Sequence, residues 1–291
     1  MISIVVISKD EPALDGTLAE VSAHAAALPG GAEVVVVDAS AGRLDHVRRA
    51  HPGVRWIDWS PPPGVAVSIP HQRNAGVAAA RGDVIVFTDA GCRPAEGWLE
   101  RLVAPLLSGE EAVAAGVATS PDGDGLYDSR TLAAAEAAVH LPECPTINMA
   151  FRRAAFDDVG GFDERFQYGS DIDFSWRLVE AGHRIRSVPR AVVTHDWGSP
   201  TRQLRRGYRY GRARARLYRK HRRRLPRALR GDPMVFVYPL FLLGLPLTLR
   251  WRAYPLLLLV PAWRNRADGP LRVVADHLAF GLGVLREAWR R

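Results

Sequence analysis

At 291 residues the chain is long enough to bury one large core and carry an appendage. Hydrophobic residues at 47% and charged residues at 24% exclude a disordered chain; the two cysteines, Cys92 and Cys144, exclude a disulfide framework or a cysteine-built metal site and make a reducing interior the default. The net charge of +8 is local: 14 of the 39 basic residues fall between Arg202 and Arg230, leaving 25 basic against 31 acidic residues elsewhere. No acid occurs between Asp196 and Asp232, so this stretch calls for an anionic partner: a membrane surface, a lipid phosphate or a nucleic acid. The N-terminal apolar run Ile4 to Ile7 has no charged residues before it and is too short for a secretory signal.

In chain order, residues 2 to 8 and Glu33 to Asp38 are short, β-branched apolar runs that read as buried parallel strands. Val54 to Trp59 and Asp83 to Thr88 repeat the pattern, with alanine-rich helical stretches near 13–28, 43–50 and 71–80 between them. Strand alternating with helix at this spacing predicts an α/β fold with a doubly wound, mostly parallel sheet. Ligands of such sheets sit beyond the carboxyl ends of the strands, where Ser8, Asp38 and Asp89 fall. A dinucleotide-binding site would need glycines after the first strand, but the turn reads Ser8-Lys9-Asp10-Glu11-Pro12. Asp38 has two readings: it caps the following turn, or it accepts hydrogen bonds from a ribose hydroxyl or a base N–H.

Further on come Asn148-Met149-Ala150-Phe151-Arg152-Arg153, Gly160-Gly161-Phe162-Asp163-Glu164 and Gly169-Ser170-Asp171-Ile172-Asp173-Phe174-Ser175-Trp176-Arg177-Leu178. By spacing, Ser170 and Asp173 form a capping box, with Asp171 complementing the helix dipole. Arg184 to Val188 and Ala191 to His195 read as two short strands. The basic stretch Arg202 to Arg224 reads as a helix with Leu204, Tyr208, Gly211, Ala215 and Tyr218 on one stripe. Met234 to Leu249 is 16 residues without a charge, and Ala253 to Ala262 is a second apolar run. Neither reaches the ~20 residues of a full span, and with Pro239, Pro246 and Pro255 they predict an interfacial or re-entrant hairpin, or two short spans. Leu271 to Trp289 reads as a closing amphipathic helix.

These motifs, together with the first ~90 residues, resemble the inverting family-2 glycosyltransferases of GT-A fold over about residues 2 to 197. The resemblance implies nucleotide contacts from Ser8, Asp38, Arg73 of His71-Gln72-Arg73-Asn74-Ala75-Gly76, and Asp89. It implies Asp171 as the base that takes the acceptor proton, and Mn²⁺ or Mg²⁺ held by Asp89 and His195. Beside helix-end amides, Asp171 is expected to be a modest base. The sequence departs from the family pattern twice. Gly91 replaces the second carboxylate of Asp-x-Asp, which leaves three outcomes open: metal held with the diphosphate and His195, charge neutralised by arginines, or no turnover. Ser170 replaces the glutamate that usually precedes the base. Trp176 and Trp197 are candidates for stacking on an acceptor sugar, and for Trp176 core packing is the competing role.

The expected organisation is a GT-A domain over 1–200, a basic amphipathic connector over 201–231 and C-terminal α-helical, membrane-associated helices over 232–291. The expected function is transfer of a sugar from a nucleotide-sugar donor to a lipid-linked or cell-envelope glycan, at an anionic membrane surface on the cytoplasmic face of the plasma membrane. High arginine and alanine content suits a GC-rich bacterial genome. Two other classes remain: a nucleotide-sugar-binding protein of the same fold without turnover, and a basic nucleic-acid-binding protein. No nucleic acid is expected as partner, because no binding module accompanies the charge.

Overall fold

In the computed structural model, residues 1–65, 69–121, 128–265 and 269–290 are described. The first half alternates as expected: β1 (Ile2–Ser8), α1 (Leu14–Ala27), β2 (Ala32–Asp38), α2 (Asp45–Ala50), β3 (Arg55–Asp58), α3 (Ile69–Ala79) and β4 (Val84–Asp89). Then follow β5 (Cys92–Pro94), α4 (Trp98–Leu107), β6 (Val113–Thr119), α5 (Asp128–Ala137), β7 (His140–Leu141), β8 (Asn148–Arg152), α6 (Arg153–Asp158), α7 (Ser170–Glu180) and β9 (Ile185–His195). The strands form one sheet in the order β3-β2-β1-β4-β8-β6-β9-β5, with β7 also paired to β9. β1, β2, β3 and β4 run parallel, β8 runs antiparallel between β4 and β6, and β9 is parallel to β6.

Burial explains the parallel half. β1 and β2 are almost wholly buried, as strands covered on both faces must be. Their register sets Ser8 beside Asp38 and Ile7 beside Asp89, so the polar strand ends share one edge. Five phenylalanines then tie the later elements to the sheet. Phe87 of β4 meets Phe162 edge-on at 5.7 Å, Phe162 meets Phe174 of α7 at 4.4 Å, and Phe151 of β8 stacks on Phe156 of α6 at 5.8 Å. This cluster fixes the start of α7, and with it Asp171, relative to β4.

Two expected strands at 184–195 are one, β9, with Pro189 in its middle. The interruption survives as a register shift: Ala115 pairs Ser187, but Val117 pairs Val192. Proline offers no N–H to the ladder, so the pairing slips at this point while the strand itself continues.

The chain divides into two compact units, the first ending at Asp196 and the second running from Trp197. The second unit contains α8 (Pro200–Lys220), α9 (Leu225–Gly231), α10 (Met234–Leu243), α11 (Leu259–Arg264) and α12 (Pro270–Ala288), with 3-10 turns at Arg222–Arg224, Leu245–Leu249 and Tyr254–Leu258. The connector and C-terminal segment expected to be separate therefore pack together. The stripe of α8 is also rotated from the expected one: Gly207, Gly211, Ala213, Leu217 and Tyr218 are buried, while Leu204 is exposed. Glycine decides this, because backbone contact with α12 is closer than leucine allows. A Cβ on Gly211 would lie 2.0 Å from the Phe280 carbonyl oxygen, and one on Gly283 would lie 2.1 Å from that of Tyr208. Several arginines of α8 are used internally. Arg212 and Arg216 bind the buried Glu287 carboxylate at 3.0 and 2.7 Å, and Arg214 pairs Asp232 at 3.1 Å. Among the described residues no helix is long and apolar enough to cross a membrane.

Replacing Gly211 with valine forces α8 and α12 apart. Thermal unfolding is expected to show a loss of about 1–3 kcal/mol, with Gly231→Val, where a Cβ meets nothing within 4 Å, as the neutral control.

Candidate functional site

The carboxyl edge of the sheet gathers the candidate residues in three neighbouring groups. Ser8 and Asp38 end β1 and β2 and are buried. The Asp38 carboxylate accepts a short hydrogen bond from Ser40 Oγ at 2.5 Å, and Ser40 in turn accepts the Asp10 N–H. Burial raises the Asp38 pKa, the Ser40 hydrogen bonds oppose this, and neighbouring Asp58 adds to the rise. Gln72 of α3 donates to the carbonyls of Ser8 and Val37 at 2.9 and 3.1 Å, which clamps the helix to both strand ends.

Arg73 organises the second group. Alone in sequence it reads as a solvated helix residue, but its side chain is only 7% exposed. One guanidinium nitrogen lies 3.8 Å from Asp89, another donates to Ser170 Oγ at 3.3 Å, and the group rests over the Phe162 ring at 5.6 Å. Its Nε is buried without a hydrogen-bond partner. A buried donor left open at this strand edge is what a polar ligand would satisfy.

The expected capping box is absent. Gly169, at φ +79°, caps α7; Ser170 is its first residue and holds Arg73, while Asp173 is fully buried and pairs Arg177 at 2.8 Å. Tertiary partners outbid the local cap for both side chains. Asp171 follows Ser170 and accepts the Ile172 N–H at 2.9 Å. The helix end does not dominate its acidity, contrary to the expectation from sequence. Burial raises the Asp171 pKa most strongly; the positive charge of Arg73 and the Ile172 N–H pull it back, and Asp89 pushes it up again. Arg73 itself spans from Asp89 to Ser170, the residue before Asp171.

The third group surrounds His195 at the end of β9. Cys92 pairs with it across β5 and β9, with Sγ 3.8 Å from Nδ1. Burial pushes the Cys92 thiol up to about 12, as suits a thiol packed in the core. Gly91, at φ +92°, faces the imidazole; a Cβ there would lie 3.3 Å from Cε1 and 3.4 Å from Nδ1. The histidine ring thus fills the space into which a second carboxylate of Asp-x-Asp would point. Trp176 is 3% exposed and its indole N–H donates to Glu143 at 2.6 Å, so it is core and cannot stack on an acceptor. Trp197 belongs to the second unit, where Arg206 lies over its ring at 5.0 Å.

Comparison with known proteins decides the family. The model described as glycosyl transferase family 2 matches residues 3–160, and that described as glycosyl transferase family group 2 matches 137–265. The chain belongs to glycosyl transferase family 2. It is 39% identical over 144 residues to the pre-mycofactocin glycosyltransferase of Mycobacterium tuberculosis, covering 43% of this chain and 29% of that protein. It therefore spans under a third of that relative's length. To the succinoglycan biosynthesis protein ExoA of Rhizobium meliloti it is 27% identical over 89% of this chain and 86% of the relative. The solved mannosyltransferase PcManGT of Pyrobaculum calidifontis, in complex with GDP-Man and Mn²⁺, has the same fold: the TM-score is 0.74 at 18% identity, over 100% of this chain and 87% of that one.

The family-2 site can be tested for a metal from its own donors. Among the described residues no three His, Cys, Asp or Glu side chains cluster to hold an ion. Asp89 is open to solvent at its strand end, and His195 packs against Gly91 two residues further on. This donor set fits an ion shared with diphosphate oxygens and water, as hard cations at phosphates commonly are, and does not fit a protein cage. Two supporting residues were given no role by the sequence. Thr17 accepts the Gly91 N–H at 2.8 Å and lies 3.1 Å from the Cys92 carbonyl, fixing the turn after Asp89. Asn148 bridges Trp98 Nε1 to the carbonyls of Val117 and Ala191, each bond at 2.8 Å. A lone polar residue opening an apolar strand was the available hint for Asn148.

Restoring the Asp-x-Asp pattern with Gly91→Asp is expected to fail. The positive φ costs about 1–3 kcal/mol and the new side chain meets His195, so melting temperature falls and Mn²⁺ affinity, read by isothermal titration with nucleoside diphosphate, does not improve.

Proposed function

We propose that this family-2 chain transfers a sugar, with inversion, from a nucleotide-sugar donor to a lipid-linked or cell-envelope glycan at the cytoplasmic face of the plasma membrane. The observation that carries the reading is the Arg73 bridge, which joins Asp89 on the donor-side strand end to Ser170, the neighbour of Asp171. Asp38, Ser8 and Ser40 supply acceptors and a hydroxyl for the nucleoside. Asp89 and His195 are the residues that would hold Mn²⁺ or Mg²⁺ with the diphosphate, and the ion would supply charge neutralisation there.

In the transfer, Asp171 takes the proton of an acceptor hydroxyl as that oxygen's electron pair forms the bond to the anomeric carbon. The bond from that carbon to the diphosphate oxygen breaks, and its electrons leave with the nucleoside diphosphate. Attack on the face opposite the leaving group gives inversion. A carboxylate whose pKa burial has raised is a stronger proton acceptor than an exposed one, while the positive charge of Arg73 opposes the rise. Two relatives' names, a succinoglycan biosynthesis protein and an N-acetylglucosaminyl-diphospho-decaprenol L-rhamnosyltransferase, support a glycan or lipid-linked acceptor. Gly91 favours one competing reading, a nucleotide-sugar-binding protein without turnover.

A panel of UDP-, GDP- and dTDP-sugars, with and without Mn²⁺ or Mg²⁺, separates these readings. Slow release of nucleoside diphosphate is expected with one donor, whereas tight binding without release under any condition would leave only the binding reading. Asp171→Asn is expected to lower turnover by about 10²–10⁴-fold with nucleotide affinity nearly intact. Because the folded pKa of Asp171 is raised, its ionised form destabilises the fold above that pKa; the same variant should therefore melt at a higher temperature at neutral pH. Arg73→Gln removes the charge that opposes burial, so the acidic limb of the pH–rate profile should move to higher pH. An unmoved limb would separate Arg73 from the ionisation of Asp171.

A further inference from the structure

The second unit turns its most apolar sequence outward. α10 buries Val235, Tyr238 and Pro239 and exposes Val237, Leu240 and Leu243. The chain then breaks into the two 3-10 turns and folds back on itself. Tyr254 holds the reversal: its ring stacks on Phe241 at 5.1 Å and its hydroxyl donates to the Phe241 carbonyl at 2.9 Å. What remains outside is hydrocarbon, with Leu249 91% exposed, Trp263 68% and Leu240 65%. Monomeric soluble surfaces rarely carry so much exposed apolar side chain in one stretch.

Charge identifies the occupant. From Pro233 to Ala267 the sequence has no acid, and Arg250 and Arg252 stand exposed at the turn between the two apolar runs. Arg222, Arg223, Arg227 and Arg230, just before α10, are also exposed, unlike Arg212, Arg214 and Arg216, which are spent on Glu287 and Asp232. A second copy docked here would bring its own arginines against these. An anionic lipid surface would offer hydrocarbon to the leucines, phosphate to the arginines and an interfacial layer to Trp251 and Trp263. The elements are too short to span, and the longest, α10, has ten residues.

We propose that Met234–Arg264 is an in-plane membrane anchor whose apolar turns enter one leaflet of an anionic bilayer while the flanking arginines contact its phosphates. Its use, holding the enzyme beside a lipid-linked acceptor, rests on the function proposed above; its binding to membranes does not.

Flotation of the full chain with phosphatidylcholine vesicles, and with vesicles containing one quarter phosphatidylglycerol, tests the anchor. Recovery with the anionic vesicles is expected. Leu249→Glu with Leu257→Glu should lower partition at least about tenfold on both vesicles, since each exposed leucine forfeits its hydrocarbon contact. Arg250→Glu with Arg252→Glu should abolish the preference for anionic vesicles. All four positions are exposed, so melting temperature and donor hydrolysis in vesicle-free buffer should stay unchanged in both variants. Failure of the wild-type chain to float with anionic vesicles would overturn the proposal. So would a dimer seen by light scattering that the leucine variant dissolves without any vesicle binding. Flotation without donor hydrolysis would leave the anchor standing and remove the catalytic reading.

Discussion

A single buried guanidinium connects the two sides of the candidate site. Arg73 sits on α3, which packs behind the first strands, yet it reaches Asp89 at the end of β4 and Ser170 at the start of α7, with Phe162 beneath it. A buried cation needs such partners, because desolvation without them would cost more than the fold could offset. The arrangement has a consequence for acidity. Asp171 is raised by burial and restrained by Arg73, so its base strength depends on how well that cation is held.

The cation is held because the core beneath it is rigid. Phe87, Phe151, Phe156, Phe162 and Phe174 pack ring against ring across β4, β8, α6 and α7, a directional packing that aliphatic residues would not reproduce. Gln72, Asn74 and Asn148 add hydrogen bonds at the same edge. Asn74 both donates to the Phe162 carbonyl and accepts its N–H, each at 2.9 Å, so the loop before α7 is tied directly to α3. Precise placement of α7 relative to β4 is the condition for a base that must meet one face of a bound sugar.

In the second unit the same charge that makes the sequence basic serves two purposes. Arg212 and Arg216 close on Glu287 to lock α8 against α12, while the glycines between them let the backbones touch. The arginines around α9 and the following turns remain exposed. A count of basic residues cannot separate these groups, since it takes a second helix carrying Glu287, some seventy positions away, to consume part of the charge.

The sequence by itself determined the parallel strands β1 to β4, the polar ends at Ser8, Asp38 and Asp89, and the motif around Asp171. These are legible because burial of a strand on both faces, or a run of family residues in register, is written within a few neighbouring positions. Only the tertiary structure decided that Ser170 holds Arg73 instead of capping a helix, that Trp176 is core, that His195 fills the space facing Gly91, and that α8 turns its glycines inward. Each of those outcomes depends on a partner distant along the chain, and the free energy of a long-range contact outweighs a local preference worth about 1 kcal/mol or less.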